Sequence, residues 1–251
     1  DLALLKTHYY GGIKKYQWTT LPLAIHGVVC KKDGSVVDVV IGEDEKEPVV
    51  GISDLLIHLA GDQMAKTLAK GVEGEALNVC IGSIPVEDKE AKDRVKLNVL
   101  RLLNEKYGID EEDFVSAELE VVPAGRARSY GLDSSMVMAY GHDDRVCSYT
   151  SFEAMMKIKE TKKTCITLLV DKEEVGSQGA TGMQSRFFEN TVAEVINLMG
   201  DYSDLKVRRA LANSKMLSSD VSAAFDPNYA SVSEKQNNAF FGKGIVFNKY
   251  T

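Results

Sequence analysis

The sequence predicts an α/β fold with a doubly wound sheet, preceded along the chain by a β-rich region. After residue 123, apolar strand-like segments alternate with amphipathic helical segments, which is the pattern of a sheet covered by helices. Before that residue, β-branched runs and turn signals dominate. The change of pattern near Pro123 predicts two domains, residues 1–122 and residues 123–251.

The first domain is predicted to be mostly strands. These share β-branched content and turn-like boundaries, and they cover residues 21–42, 77–85 and 114–122. Within the first of them, Asp33 and Gly34 form a dipeptide that favours a tight hairpin turn. Residues 88–108 are predicted to form a helix, because Val95 and Val99 repeat at helical spacing.

The second domain is predicted to alternate strands with helices. The predicted strands are residues 135–141, 164–171 and 215–220, and the predicted helices are residues 145–160, 182–200 and 204–214. The segment TCITLLVD, residues 164–171, is almost continuously apolar, which is typical of a strand buried on both faces of a parallel sheet. This alternation is the main support for the doubly wound sheet.

Composition favours a soluble globular protein, since 44% of residues are hydrophobic and 27% are charged. The formal net charge of -7 argues against a nucleic-acid partner, because binding phosphate requires a basic surface. The chain has no apolar run near the roughly 18 residues that a membrane helix needs. The four scattered cysteines predict reduced, buried thiols in a cytosolic protein; they are Cys30, Cys80, Cys147 and Cys165.

Acidic residues follow each predicted strand of the second domain. Asp143 and Asp144 follow the first strand, Glu173 and Glu174 follow the second, and Asp220 follows the third. Because ligands of open α/β sheets bind outside the carboxyl ends of the strands, we expect these carboxylates to share one crevice. Like charges so close together stay ionised only where a cation neutralises them. The sequence therefore predicts a metal site, and several carboxylates indicate more than one ion.

Each acidic pair also has a purely structural interpretation. Asp143 or Asp144 can cap the helix that begins at residue 145, and the pair Glu173 and Glu174 can be a solvated loop. The metal interpretation depends on the three acidic strand ends occurring together. Neighbouring glutamates on a turning segment point in different directions, so one can bind a metal while the other moves a proton from water.

Three segments of the chain resemble the aspartyl aminopeptidase and aminopeptidase I family of di-zinc exopeptidases. They occur in the family's order and are AYGHDDRVCSY, DKEEVGSQGATG and SSDVSAAFDPNY; THYYGGIKKYQW and VVPAGRARSYG upstream add to the resemblance. The resemblance implies a doubly wound mixed sheet flanked by helices, of the zinc exopeptidase kind. It implies that residues 1–122 are an inserted β-rich oligomerisation domain and residues 123–251 part of the catalytic domain. It also implies assembly into a homo-oligomer, a dodecamer.

The same resemblance implies a metallo-aminopeptidase with two zinc ions per subunit, other divalent metals being possible, that acts on peptides with a free N-terminus. Asp143 would bridge the two metals, Glu174 would bind one zinc and Asp220 the other. Glu173 would be the general base that takes a proton from the metal-activated water attacking the peptide bond. The location implied is cytoplasmic. The peptide bond between Asp143 and Asp144 is predicted to be cis, as in related enzymes.

Histidines are where the sequence departs from the family. The family's His-x-Asp motif and its late histidine are not matched by any of the four histidines, which are His8, His26, His58 and His142. We therefore expect these ligands to lie outside residues 1–251, in a chain that is incomplete at both ends. Tyr16 stands where many members have a histidine that reaches a neighbouring subunit, and Ala223 and Asp226 replace family histidines near Asp220. The preferred N-terminal residue is consequently not predicted.

Two other functions fit the same acidic residues. One is a non-catalytic homologue that acts as a binding or scaffold subunit, and the other is a related di-zinc carboxypeptidase or deacylase. Substrate profiling separates the carboxypeptidase or deacylase from an aminopeptidase, because an aminopeptidase does not act on N-acylated peptides.

Overall fold

The structure is a computed structural model of the chain, and it describes residues 1–9 and 11–249. The chain divides into two compact units, Asp1–Tyr140 and Gly141–Thr251, and each is described by itself. The predicted domains, residues 1–122 and 123–251, stay predictions.

The first unit is built on small antiparallel sheets. Its strands are β1 (Ala3–Leu5), β2 (Leu23–Cys30), β3 (Val36–Ile41), β4 (Val79–Gly82), β5 (Ala117–Pro123), β6 (Arg128–Tyr130) and β7 (Met136–Met138). The largest sheet has the order β3-β2-β5, while β1 pairs with β4 and β6 pairs with β7. The hairpin predicted over residues 21–42 is confirmed, because β2 and β3 are antiparallel neighbours. Gly34 takes a φ of 84° in its turn, a conformation that glycine adopts without a steric cost.

The helices of the first unit are α1 (Gly61–Met64), α2 (Leu68–Gly71) and α3 (Arg94–Tyr107). The predicted helix over residues 88–108 is confirmed as α3, which buries Val95 and Val99 beside Ala3. Burial of an aliphatic side chain of this size contributes about 1.5–3 kcal/mol, so this contact fixes α3 in the unit.

The second unit contains three predicted helices, and all three are confirmed with boundaries shifted by a few residues. They are α4 (His142–Met156), α5 (Phe187–Leu198) and α6 (Asp204–Asn213). The start of α6 is capped by Ser203, whose hydroxyl oxygen accepts a hydrogen bond from the backbone N–H of Lys206 at 3.3 Å. No helix in the described part of the chain is long and apolar enough to cross a membrane.

Two predicted strands of the second unit are wrong. Among the described residues, segments 164–171 and 215–220 have no strand assignment and belong to no sheet. A strand requires a neighbour that completes its ladder of hydrogen bonds, and an apolar pattern alone does not supply one. Ile166 and Leu169 accordingly remain 52% and 56% exposed. The described residues are thus α/β, with small sheets and helices, but they do not form the doubly wound sheet.

The cysteine thiols are free, as predicted, but they are less buried than predicted. Cys30 is exposed, while Cys80, Cys147 and Cys165 are half-buried. Cys30 is the last residue of β2 and follows the buried Val29. Successive side chains of a strand point to opposite faces, so Cys30 lies on the outer face.

Candidate metal centre

Three aspartates of the second unit meet near the start of α4. Asp143, Asp144 and Asp220 each offer one carboxylate oxygen, and these three oxygens all lie within 4.8 Å of one another. This group of carboxylates could hold a metal ion, and small side-chain movements would bring the oxygens to the roughly 2.0–2.2 Å at which carboxylates bind zinc. Asp143 and Asp220 are exposed and Asp144 is half-buried. We call these three residues the acidic cluster.

The backbone has an irregular path where it delivers two of these side chains. The peptide bond between Asp143 and Asp144 is cis, which confirms the prediction. Both residues have non-helical φ and ψ angles, although they lie within α4. No side chain caps the helix at Gly141, the residue before its first assigned position. Because α4 is kinked at Asp143 and Asp144, the alternative interpretation of either residue as a cap for the helical segment from residue 145 stays a prediction.

Asp144 is the member of the acidic cluster that the sequence did not assign to the metal. Its Oδ1 atom is buried and has no hydrogen-bond partner among the described residues. Leaving a buried acceptor unsatisfied costs about 1–3 kcal/mol, and more where the group is charged. A cation in the cluster would satisfy this oxygen, so the residues present fit a bound metal. Sequence reasoning placed Asp144 in the predicted acidic crevice and as a possible helix cap but gave it no ligand role, because burial of one oxygen leaves no sequence signal.

Mutual repulsion is the main electrostatic feature of the cluster. Partial burial raises the pKa of the Asp143 carboxyl, and nearby negative charges raise it further. Those charges belong to Asp220, Glu174 and Asp144. A raised pKa means that the ionised form of this carboxyl is disfavoured in the folded protein. A bound cation would reverse this effect by neutralising the charges.

Cys147 lies beside the acidic cluster. Burial and a hydrogen bond with Asp144 raise the pKa of the Cys147 thiol, while a hydrogen bond with Ser219 lowers it. The three members of the acidic cluster themselves offer carboxylate oxygens.

Glu173 and Glu174 lie on a short 3₁₀ turn, Glu173–Val175, which we call the acidic turn. Both side chains are exposed. The turn is bounded by Lys172 and Gly176, whose φ angles of 65° and 85° are both in the left-handed region. The charge of Glu174 contributes to the raised pKa of Asp143, which indicates that Glu174 lies near this member of the acidic cluster. The roles predicted for the two glutamates stay predictions.

The loop that follows the acidic turn folds back against it. Ser177 donates its backbone N–H to the carbonyl of Lys172 at 2.8 Å, and Asp171 donates to the carbonyl of Thr181 at 3.1 Å. Gly182 packs against this loop so closely that an added Cβ would lie 2.2 Å from the Ser177 carbonyl oxygen. The loop therefore requires glycine at this position because of space.

Gly182→Ala is expected to lower the free energy of unfolding by about 1–3 kcal/mol, because the backbone of the loop would have to move to admit the methyl group. The matched control is Gly61→Ala, since an added Cβ at Gly61 meets no described atom within 4 Å. Denaturant unfolding of both variants measures the difference. Equal stability of the two variants would show that the loop backbone moves to admit the methyl group without lowering the free energy of unfolding.

Comparison with known proteins identifies the family. The whole chain, residues 1–251, matches the sequence profile of the family described as Aminopeptidase I zinc metalloprotease (M18). The probable M18 family aminopeptidase 1 of Clostridium acetobutylicum is 69% identical over 251 residues, which are 100% of this chain and 54% of that protein. The chain thus spans about half the length of the curated relatives it matches.

Solved structures agree with this assignment. The crystal structure of aminopeptidase I from Clostridium acetobutylicum is similar with a TM-score of 0.89 and 66% identity, covering 100% of this chain and 54% of that one. The S. cerevisiae mApe1 dodecamer is more distant, with a TM-score of 0.65 and 20% identity over 95% of this chain and 53% of that one, and it shows the fold alone. The resemblance seen in the sequence is confirmed, and the chain belongs to the M18 family, the aminopeptidase I zinc metalloproteases.

Proposed function

We propose that the intact protein is a metallo-aminopeptidase that hydrolyses the first peptide bond of peptides with a free N-terminus. The observation that carries this proposal is the acidic cluster, in which the oxygens of Asp143, Asp144 and Asp220 lie within 4.8 Å of one another. In a member of a zinc metalloprotease family, such a cluster is best explained as part of the metal site.

Two zinc ions are proposed, as the family resemblance implies. Asp143 would be shared by the two ions, Glu174 would bind one and Asp220 the other. The unpartnered Oδ1 of Asp144 supports binding of a cation at this place. When bound, the zinc ions supply Lewis acidity, which lowers the pKa of water to about 7 and polarises the peptide carbonyl.

Glu173 is proposed as the general base. It lies next to Glu174 on the acidic turn, and its carboxylate is exposed, so it is free to reach water. The carboxylate takes the proton of the attacking water and returns it to the leaving amine. The acidic turn thus holds the base directly beside a metal ligand, which keeps proton transfer close to the attacked carbonyl.

Assembly into a homo-oligomer is also proposed, with residues 1–122 as the inserted oligomerisation domain. The S. cerevisiae relative of this fold is a dodecamer. Large apolar side chains are exposed over residues 55–59 of this chain, including Leu59 at 72%. Exposed apolar groups in a row are typical of surfaces that a partner covers. A cytoplasmic location stays a prediction that depends on the free thiols.

A substrate comparison tests the proposed activity. The zinc-loaded intact protein is expected to release the first residue of a tripeptide of three different residues with a free N-terminus, and to reject the N-acetyl counterpart by roughly 10⁴-fold, because a site built for a polar group is left unpaired by an analogue that lacks it. The release of products is followed by chromatography. Cleavage of only the acetylated peptide would support the deacylase, and loss of the C-terminal residue would support the carboxypeptidase. Absence of cleavage in protein that binds zinc would support the non-catalytic homologue.

A further inference from the structure

Gln184 contacts the acidic turn at the point where the chain leaves it. Its side-chain Nε2 donates a hydrogen bond to the carbonyl oxygen of Gly176 at 2.7 Å. Its backbone N–H donates to the carbonyl oxygen of Ser177 at 3.2 Å. One residue therefore supplies donors to two consecutive carbonyl groups directly after Glu173–Val175.

The acidic turn needs such outside support because it is only three residues long. Within it, the N–H of Gly176 donates to the carbonyl of Glu173 at 2.9 Å. A 3₁₀ turn of this length has poor hydrogen-bond geometry and is not stable alone. Gln184 lies three positions before Phe187, the first residue of the 12-residue helix α5. Its two hydrogen bonds thus connect a short turn to the start of a longer element.

The side-chain bond is the part of this support that depends on residue identity. The bond from Ser177 to Lys172 and the bond from Asp171 to Thr181 join backbone atoms, so most residues at these positions retain them. The amide of Gln184 is a side-chain donor that methionine and ionised glutamate lack. Substitution at this position therefore removes one defined bond and keeps the backbone bonds.

We propose that Gln184 is a positioning residue, whose side-chain amide holds the acidic turn through the Gly176 carbonyl and so keeps Glu173 and Glu174 oriented toward the acidic cluster. This inference rests on the proposed function of the two glutamates. Gln184 itself is not proposed to touch metal or substrate.

Hydrogen exchange in the intact protein tests the structural half of the proposal without activity. The amides of Gly176 and Ser177 donate within and across the acidic turn, so their exchange is expected to become about 10-fold faster or more in Gln184→Met and Gln184→Glu. Glutamate has the size of glutamine, and Gln184→Glu carries the test if Gln184→Met does not fold. The control is Gln178→Met, which makes the same change at an exposed position of the same loop.

Steady-state kinetics with zinc in excess test the functional half. Both Gln184 variants are expected to show kcat lowered by about 10- to 100-fold with KM changed far less, because a misplaced base slows the chemical step more than it weakens binding. A purely structural role would lower the amount of folded enzyme and leave kcat per folded molecule unchanged. Gln178→Met is expected to match the wild type.

Unchanged exchange at Gly176 and Ser177 in both Gln184 variants would overturn the proposal, and so would a kcat equal to that of Gln178→Met. An inactive wild-type protein would instead contradict the proposed function. Faster exchange in the Gln184 variants would then still establish that the amide holds the turn.

Discussion

Glu173→Gln is expected to abolish peptide hydrolysis while zinc stays bound. Glutamine has the shape of glutamate but cannot accept a proton, so the loss of a general base is expected to lower kcat by about 10²–10⁴-fold or more. Zinc content is expected to be unchanged, because the proposed ligands of the acidic turn and the acidic cluster are Glu174, Asp143 and Asp220. Steady-state kinetics together with elemental analysis of the purified variant measure both quantities.

The control for this substitution is Glu160→Gln, which makes the same change at an exposed glutamate of the second unit. It is expected to keep wild-type kcat, which excludes a general effect of lost negative charge. An active Glu173→Gln variant would remove Glu173 from the role of base. A variant that loses zinc would instead place Glu173 among the ligands.

Asp143→Ala is expected to weaken zinc binding by at least about 100-fold, because even residues that only support metal ligands change affinity by about 10- to 100-fold when substituted. As the proposed bridge, Asp143 contributes to both ions, so the zinc content per subunit should fall below that of any other single variant. Titration with zinc and elemental analysis measure this. Asp201→Ala, at an exposed aspartate of the same unit, is the control and is expected to bind zinc normally.

In the metal-free protein, Asp143→Ala is expected to raise the stability of the fold. Burial and neighbouring charges raise the pKa of Asp143 above its ordinary value of 3.8. A carboxyl whose pKa is raised in the folded state lowers stability as the pH rises from its unfolded pKa to its folded pKa, because the unfolded chain releases the proton more easily. Metal-free Asp143→Ala should therefore be more stable than the metal-free wild type at neutral pH, and the gain should disappear below pH 3.8.

Denaturant unfolding in the presence of a chelator, at neutral and acidic pH, measures this reversal. With zinc present the order of stability is expected to invert, because zinc binds the folded wild type and adds stability through mass action. Normal zinc binding by Asp143→Ala would contradict the bridging role. A metal-free variant that is less stable than the wild type at neutral pH would contradict the repulsion within the acidic cluster.

Local signals explain which parts of the fold were predictable from the sequence. The hairpin of β2 and β3 was predicted because Asp33 and Gly34 specify a turn, and α3 because Val95 and Val99 repeat at helical spacing. Segments 164–171 and 215–220 were not correctly predicted. Their apolar content indicates a need for burial, but whether a segment becomes a strand depends on distant residues that pair with it.

The acidic residues show the same difference between features that the sequence predicts and features that depend on distant parts of the chain. The structure places Asp143 and Asp220 close together, as expected, although two of the three predicted strands on which that expectation was based are absent from the described residues. The burial of one Asp144 oxygen, the proximity of Cys147 and the hydrogen bond from Gln184 to Gly176 were not predictable. Each depends on the path of the backbone between residues, which periodicity and motif spacing do not encode.

Anomalous diffraction at the zinc edge from crystals of the intact, zinc-loaded protein tests the central claim most directly. The claim is that the acidic cluster holds zinc. The predicted result is two anomalous peaks next to the Asp143 carboxylate, one about 2.0–2.2 Å from a carboxylate oxygen of Asp220 and the other at the same distance from one of Glu174. Zinc peaks that avoid these carboxylates, or a cluster without any peak in protein that contains zinc, would contradict it.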